Sequence, residues 1–334
     1  MARTCSTVRV MESHFMTTHP GGATLEARVV PVPVPGAGQV LVRMRAASLN
    51  RGEFIQGHGL QKPGTTKAVG MEGAGVVEAL GPEVAGFKVG DRVMGRCPGA
   101  FSEMGLMDAR EAMHVPGTLT WEQAASIPLT FLVAYDMLVI GGHLGAGEWL
   151  LVTGVTSGVG VASLQLAKAL GAKVIGTSGS AGKLERLVRE GLDVPVATRE
   201  PRFRDVVLQA TGQRGANLVV NTVGGSVFAE CIRSMAFEGR LATVGYVDNV
   251  LEAPLDIIAL HTKRLVLFGV SNKQRTPAQR AAAVPAFVAE VLPLFAAGSI
   301  QPVIDRVFPL AQVAEARAHM EANAAVGKIV IVMP

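Results

Sequence analysis

Residues 150–160 place an apolar run directly before a turn of small residues. The turn reads Gly154-Val-Thr-Ser157-Gly-Val-Gly160 and leads into a helical pattern. Small residues let the backbone approach an anion closely, and a helix start offers unpaired N–H groups and a positive dipole end. Because an apolar strand precedes it, this turn favours a bound pyrophosphate over an ordinary strand-to-helix turn, which is the alternative. The expected contacts are Gly154, Thr156, Ser157, Gly158, Val159 and Gly160.

The residues after the next strand indicate which ribose is bound. A site selective for NAD has an acid about 20 residues beyond the glycines, where it bonds the 2′-hydroxyl. Here residues 176–183 read GTSGSAGK and contain no acid. Hydroxyls and a lysine suit a 2′-phosphate, so we expect NADPH, held by Ser178, Ser180 and Lys183. The alternative is that Ser180 only caps the following helix and Lys183 is a solvated surface lysine.

The predicted secondary-structure elements that position these residues form two different patterns along the chain. Up to residue 120 the pattern is β-rich, with strands expected at 29–34, 40–46, 73–80 and 88–94. A helical stretch at 121–138 is broken by Pro128. Beyond Gly147 strands and helices alternate, which predicts a parallel sheet covered by helices. The strands of this part are expected at 149–153, 173–177, 218–221, 240–245 and 265–270, the helices at 158–170, 181–190 and 228–237. Helices at 285–296 and 311–323 and a strand at 328–332 follow.

This order predicts an α/β protein in which a cofactor domain is inserted into a β-rich domain. We expect the β-rich domain to comprise residues 1–125 and 272–334, and the cofactor domain to comprise residues 126–271.

Composition limits the class of protein. The chain has 334 residues, 49% hydrophobic and 17% charged, which is typical of a globular protein of about two domains. The net charge of +4 comes without a basic cluster, so no nucleic-acid partner is expected. No apolar run reaches the roughly 18 residues of a bilayer span, so no membrane partner is expected either. Three scattered cysteines predict neither disulfides nor a zinc site and favour a reducing, cytoplasmic compartment; a short organellar presequence is the alternative.

Several motifs together resemble the medium-chain dehydrogenase/reductase superfamily, and more narrowly its zinc-free quinone oxidoreductase group, which is related to polyketide enoyl reductase domains. Beside the glycine turn they are, by residue number, AASLN at 46–50, GMEGAGVV at 70–77, VGDRV at 89–93, AASIP at 124–128, NTVGG at 221–225, GRLATVG at 239–245 and GKIV at 327–330. The resemblance covers nearly the whole chain. It implies a GroES-like β-rich catalytic domain and a Rossmann cofactor domain with a doubly wound parallel sheet.

The resemblance also implies particular cofactor contacts. Family members use a residue like Lys183 for the 2′-phosphate. They often carry a tyrosine where Thr198 stands, so we expect the neighbouring Arg199 to substitute. The further contacts implied in this way, on the 221–225 motif and around the nicotinamide, are Val223, Gly245, Tyr246, Phe268, Val270 and Ser271. Relatives dimerise through the edge of the cofactor-domain sheet, which suggests a homodimer formed through residues 265–270.

The same resemblance argues against a metal. Zinc alcohol dehydrogenases need cysteine and histidine ligands, but the corresponding positions here hold Asn50 and Met71. The spacing of His58, Cys97 and His114 matches no ligand pattern. Without a Lewis acid, oxidation of a plain alcohol lacks a means to stabilise an alkoxide. We therefore expect no metal and an acceptor that is already electrophilic.

Asn50 and His58 are the candidate catalytic residues. The Asn50 amide can donate to a developing oxyanion; the alternative is a turn residue that bonds its own backbone. His58 lies on a glycine-flanked loop and is a candidate proton donor. The alternative is that His58 is an ordinary loop histidine and that water delivers the proton. Tyr135 is expected to pack and Glu72 to brace the fold.

The sequence thus predicts an NADPH-dependent reductase of quinones or α,β-unsaturated carbonyls. An enoyl-thioester reductase is the alternative within enzymes, because residues 128–135 resemble the polyketide version of that segment. A non-catalytic NADPH-binding protein is the alternative from another class.

Overall fold

A computed structural model describes residues 8–54 and 64–334. Its strands are β1 Val10–His19, β2 Gly22–Pro31, β3 Gln39–Ser48, β4 Thr66–Ala68, β5 Glu72–Leu80, β6 Arg92–Arg96, β7 Met104–Asp108, β8 Ala112–His114, β9 Trp149–Thr153, β10 Lys173–Ser178, β11 Val194–Ala197, β12 Ala216–Asn221, β13 Met235–Thr243, β14 Val266–Gly269, β15 Ile304–Pro309 and β16 Lys328–Val332. Its α-helices are α1 Trp121–Ala125, α2 Pro128–Tyr135, α3 Gly158–Ala169, α4 Ala181–Arg189, α5 Arg204–Ala210, α6 Gly225–Ser234, α7 Ile257–Thr262, α8 Pro277–Ala281, α9 Val284–Glu290, α10 Leu292–Ala296 and α11 Val313–Glu321.

The chain folds into two compact units. The described residues up to Leu129, together with Ile304–Pro334, form the first, and Thr130–Val303 form the second. In the sequence, the second unit thus lies between the two segments of the first. The observed second boundary lies at residue 304, whereas the sequence prediction set it at 272. No helix among the described residues is long and apolar enough to cross a membrane.

The first unit is built mainly of antiparallel strands. A seven-stranded sheet has the order β15-β16-β3-β5-β6-β8, with β7 also paired to β3, and a three-stranded sheet has the order β2-β1-β4. The core between them contains Met16, Val42, Phe101 and Ile331, all fully buried. The unit brings the C-terminal strand β16 beside β3, so residues from the two ends of the chain become neighbours.

The second unit contains a six-stranded parallel sheet of order β11-β10-β9-β12-β13-β14. Four consecutive residues of the central strand β9 are buried, as expected for a parallel strand covered by helices on both faces. The predicted fold class, an α/β chain with a GroES-like sheet domain and a Rossmann domain, is therefore confirmed.

Some predicted elements were wrong in detail. The helix predicted at 228–237 ends at Ser234, because Met235 turns extended and pairs with Ala216 at the start of β13. The strand predicted at 29–34 is the end of a longer strand, β2, which forms a hairpin with β1. Its two-residue loop is Pro20-Gly21, since His19 pairs with Gly22.

The segment 272–303 belongs to the second unit because its apolar helices pack on α2. The rings of Phe131 and Phe295 are in edge contact at 4.8 Å, and those of Tyr135 and Phe287 at 5.8 Å. The Tyr135 hydroxyl donates to Glu290 at 2.7 Å. Tyr135 therefore packs within its own unit, as expected from the sequence.

Candidate functional site

The candidate cofactor residues follow the carboxyl ends of neighbouring strands. Since all six strands of the second sheet are parallel, these ends lie along one edge. The strand order reverses between β9 and β12, and ligands of open parallel sheets bind at such a switch point. The turn after β9 holds residues 154–160, and the turn after β12 holds residues 221–225. The phosphate turn predicted from the sequence is thus located at the switch point.

The backbone of this turn requires glycine at two positions. Gly154 has φ +65°, and a Cβ there would lie 2.6 Å from Thr222 Oγ1. A Cβ at Gly160 would lie 2.6 Å from the carbonyl oxygen of Gly154. The start of α3 therefore packs directly on the turn, which brings the N–H groups of its first residues to the sheet edge.

Ser157 occupies the middle position of the turn and caps α3. Its Oγ accepts a hydrogen bond from Gly160 N at 3.1 Å. The hydroxyl proton of Ser157 remains available to donate, which a bound phosphate oxygen requires. The first turn of α3, which includes Gly158 and Val159, contains no acid. The local field at this helix start is therefore positive.

The second turn, after β10, joins the first through hydroxyl groups. Ser178 Oγ lies 3.5 Å from Thr156 Oγ1 and accepts a hydrogen bond from Ser180 N at 3.3 Å. Ser180 is the residue before α4, but its side chain makes no capping hydrogen bond. The alternative role of Ser180 as a helix cap is therefore not seen, and α4 begins with no acid in its first turn.

A cation lies against this second turn. Arg199, in the loop after β11, packs on Gly179: a Cβ at Gly179 would lie 2.9 Å from Arg199 Cγ and 3.1 Å from its Cζ. Arg199 is exposed. Lys183 stands in the first turn of α4 and is half-buried. The turn thus combines two hydroxyls, a helix start and two basic residues, with no acid between Gly176 and Lys183.

The loop after β12 is braced by Asn221. Its Oδ1 accepts from Val223 N at 3.1 Å and from Gly224 N at 3.0 Å, and its Nδ2 donates to Gly224 O at 2.9 Å. Gly224 has φ +129°, and a Cβ there would meet Asp248 Oδ1 at 2.0 Å. Val223 is consequently held in one position at the switch point.

The remaining candidates follow the last two strands. A Cβ at Gly245 would lie 3.0 Å from Thr222 O, so Gly245 and Tyr246 lie next to the 221–225 loop. Val270 N donates to Thr243 O at 2.9 Å, and Ser271 follows on the surface. The ring of Phe268 lies against Gly141, where a Cβ would meet it at 2.6 Å.

In the first unit, Asn50 belongs to a buried polar cluster around Glu72. Glu72 Oε1 accepts from Ser48 Oγ at 2.7 Å, from Asn50 Nδ2 at 2.9 Å and from Lys328 Nζ at 2.9 Å. Its Oε2 accepts from Leu129 N at 2.7 Å. Glu72 is fully buried and Lys328 is 4% exposed. Glu72 therefore braces the first unit, as expected from the sequence, while its charge is matched by Lys328.

Lys328 also orients the Asn50 side chain. Its Nζ donates to Asn50 Oδ1 at 2.9 Å and to Leu49 O at 3.0 Å. The Asn50 side chain makes no capping bond to the short 3₁₀ turn Arg51–Glu53 that follows it. The alternative role of Asn50 as a turn residue bonded to its own backbone is therefore not seen.

Glu53 completes the cluster. Its Oε2 accepts from Gly70 N at 3.0 Å, and its Oε1 lies 3.4 Å from Asn50 Nδ2. Burial raises the pKa of the Glu53 carboxyl from 4.5 to about 7. Hydrogen bonds from Gly70 and Asn50 lower this pKa in part. The charge of Glu72 raises it further, and the charge of Lys328 lowers it. Glu53 and Lys328 were missed as site residues from the sequence. Lys328 belongs to the GKIV motif at 327–330, and its local signal is a charged residue at the start of an apolar strand.

Other sequence candidates are placed as follows. His58 lies outside the described residues. Cys97 is fully buried, and burial raises the pKa of its thiol to about 12. His114 is exposed, with its ring 4.7 Å from that of Phe87. Over 8–54 and 64–334, no three His, Cys, Asp or Glu side chains are grouped to hold a metal ion.

Comparisons with known proteins agree with this architecture. Residues 36–128 match the alcohol dehydrogenase GroES-like domain, and residues 191–331 match the zinc-binding dehydrogenase family. The human synaptic vesicle membrane protein VAT-1 homolog is 30% identical over 324 residues, covering 92% of this chain and 82% of that protein. Human quinone oxidoreductase is 28% identical over 309 residues, covering 91% and 92%. The structure of mycobacterial Rv1454c complexed with NADPH has a TM-score of 0.84 at 28% identity, covering 96% and 99%. The chain belongs to the medium-chain dehydrogenase/reductase superfamily of oxidoreductases, in its zinc-free quinone oxidoreductase-like group.

Proposed function

We propose that this protein is an NADPH-dependent reductase that transfers a hydride to a quinone or an α,β-unsaturated carbonyl compound. The observation that carries the proposal is the acid-free turn after β10, where Arg199 packs on Gly179 beside Ser178, Ser180 and Lys183. An adenosine ribose carrying a 2′-phosphate suits such a turn, because charged donors bind phosphate strongly. The NADPH complex of the mycobacterial relative supports the same choice.

The turn after β9 fits the pyrophosphate of this cofactor. Gly154 and Gly160 leave no room for side chains, and Ser157 keeps a hydroxyl proton to donate. The backbone N–H groups at the start of α3 would bind the phosphate oxygens. Val223, Gly245, Tyr246, Phe268, Val270 and Ser271 follow the neighbouring strand ends and would border the nicotinamide. When bound, the nicotinamide supplies the hydride.

Asn50 is proposed to contact the acceptor. Lys328 holds its Oδ1 and Glu72 accepts one of its N–H groups, so the amide would offer its second N–H group to the acceptor and not its carbonyl oxygen. An N–H group stabilises the negative charge that develops on a quinone or enone oxygen during reduction. The Lys328 ammonium beside this oxygen also makes Asn50 a poor metal ligand, because it repels a metal cation. This supports an acceptor that is electrophilic without a Lewis acid.

The test is NADPH oxidation measured against phenanthrenequinone, benzoquinone, an enone and crotonyl-CoA. We expect turnover with the quinones or the enone. Turnover confined to crotonyl-CoA would instead favour an enoyl-thioester reductase, which the sequence raises as the alternative. Tight NADPH binding with no turnover on any acceptor would favour a non-catalytic binding protein.

We also propose a homodimer formed through the edge strand β14. This strand pairs only with β13 among the described strands, so its outer edge can accept a second copy. Exposed apolar side chains lie on β14 and on α7: Val266 is 52% exposed, Ile257 64% and Ile258 76%. Sedimentation analysis should give a dimer for the native protein and a monomer for Val266→Glu. Val29→Glu, at an exposed position on β2, is the control. An unchanged mass for Val266→Glu would exclude this edge.

A further inference from the structure

We propose that Glu53 is a positioning residue whose proton controls whether one amide N–H of Asn50 is available to the acceptor oxygen. This inference rests on the proposed contact between Asn50 and the acceptor. It follows from how the Asn50 amide is shared among its neighbours in the first unit.

The orientation of the Asn50 amide is set on both sides. Its Oδ1 accepts from Lys328 Nζ at 2.9 Å, and one Nδ2 hydrogen serves Glu72 Oε1 at 2.9 Å. The other Nδ2 hydrogen has a weak partner, Glu53 Oε1, at 3.4 Å. This second N–H is therefore the one that Asn50 can offer to a substrate without breaking a short hydrogen bond.

The charge on Glu53 determines how strongly it competes for that N–H. An ionised carboxylate is a much stronger acceptor than a neutral carboxyl group. Glu53 is 6% exposed, and the charged groups that face it from the described strands are Glu72 on β5 and Lys328 on β16. Burial raises its pKa to about 7. Near neutral pH, Glu53 is thus divided between a form that leaves the Asn50 N–H available and a form that binds it.

The consequence is a decline of activity as pH rises. If only the protonated form of Glu53 leaves Asn50 productive, kcat/KM should fall about tenfold between roughly one unit below and one unit above the pKa. Glu53→Gln keeps the size of the side chain and an oxygen for Gly70 N, and it cannot ionise. We expect this variant to keep the activity that the native protein has at low pH and to lose the decline.

The experiment compares pH profiles of kcat/KM for the acceptor at saturating NADPH in the native protein, Glu53→Gln, Asn50→Ala and Glu26→Gln. Glu26 is an exposed glutamate paired with Arg28 on β2, so its variant should retain the native profile. Asn50→Ala should be slower and free of the decline, since Glu53 acts through Asn50. This second variant tests the inference even if Glu53→Gln does not fold.

Two results would overturn the inference. One is a native profile without a decline near neutrality, and the other is a decline that persists in Glu53→Gln or in Asn50→Ala. A slower Asn50→Ala with a persistent decline would reject the role of Glu53 but leave the proposed function in place. An Asn50→Ala variant as fast as the native protein would reject the proposed contact between Asn50 and the acceptor itself.

Discussion

Lys328 Nζ donates a hydrogen bond to Asn50 Oδ1 at 2.9 Å, joining residues that lie 278 positions apart in the chain. The same ammonium donates to Glu72 Oε1 at 2.9 Å. Lys328 can only donate, so it fixes the oxygen side of the Asn50 amide. The amide nitrogen then faces the carboxylates of Glu72 and Glu53. The orientation of the candidate catalytic amide thus depends on a residue of the last strand.

Removing the Lys328 charge should therefore destabilise the protein. In Lys328→Met the buried carboxylate of Glu72 loses its counter-charge, and breaking such a pair typically costs about 3–5 kcal/mol. Unfolding in urea measures this loss. Lys88→Met is the control, because Lys88 pairs with Asp91 at the surface and is 83% exposed. Equal stability of the two variants would show that the buried pair contributes nothing.

Asn50→Ala should lower turnover and leave cofactor binding intact. Losing one donor to a developing oxyanion typically lowers kcat by about 10²-fold or more. The fluorescence of bound NADPH gives its Kd, which we expect to equal the native value, because the phosphate turns belong to the second unit. Asn217→Ala, which removes the same amide group from β12, is the variant with which Asn50→Ala is compared. An unchanged kcat would remove Asn50 from the mechanism.

Arg199→Ala and Lys183→Ala should each weaken NADPH far more than NADH. A hydrogen bond to a charged group contributes about 1.5–3 kcal/mol, which corresponds to roughly a tenfold to hundredfold change in Kd. Titration with both cofactors measures the ratio. Arg202→Ala, with a side chain that is 84% exposed and paired with Glu200, should leave it unchanged. Equal losses for NADPH and NADH would reject the 2′-phosphate assignment.

Gly154→Ala should weaken cofactor binding and lower stability. Its φ of +65° costs an L-residue about 1–2 kcal/mol, and its Cβ would press on Thr222 Oγ1. Gly117→Ala is the matched control, since a Cβ there meets nothing within 4 Å. Urea unfolding and NADPH titration report the two effects. If Gly154→Ala bound NADPH as the native protein does, the turn would not hold the pyrophosphate.

Stability should also depend on the proton of Glu53. In the unfolded chain the carboxyl titrates near 4.5, and in the folded protein near 7. Between these values the unfolded state loses its proton while the folded state keeps it, so the free energy of unfolding falls as pH rises through this window. The fall amounts to at most about 3 kcal/mol. Glu53→Gln should lack this component in unfolding curves measured across the window. If the free energy of unfolding of the native protein showed the same pH dependence as that of Glu53→Gln, the raised pKa of Glu53 would be contradicted.

The parts of this protein that depend on local patterns could be predicted from the sequence. The turn from Gly154 to Gly160, the strand β9 before it and the acid-free turn after β10 each lie within a short stretch. Their periodicity and residue types identify them. The parallel sheet follows from the alternation of such strands with helices.

The parts that depend on distant contacts could not be predicted. Met235 becomes extended because it pairs with Ala216, which overrides the helical pattern that precedes it. Helices α9 and α10 pack on α2 through Phe287 and Phe295, and no local signal assigns them to that unit. The contact of Lys328 with Glu72 spans 256 residues and exists only once β16 lies beside β3.

The central claim is that NADPH held at the sheet edge reduces an electrophilic acceptor. A stopped-flow experiment tests it most directly: protein preloaded with NADPH is mixed with phenanthrenequinone or an enone, and the nicotinamide absorbance is followed. We expect one equivalent of NADPH to be oxidised per site with at least one of these acceptors, more slowly in Asn50→Ala. Bound NADPH that stays reduced in the presence of both acceptors would contradict the account.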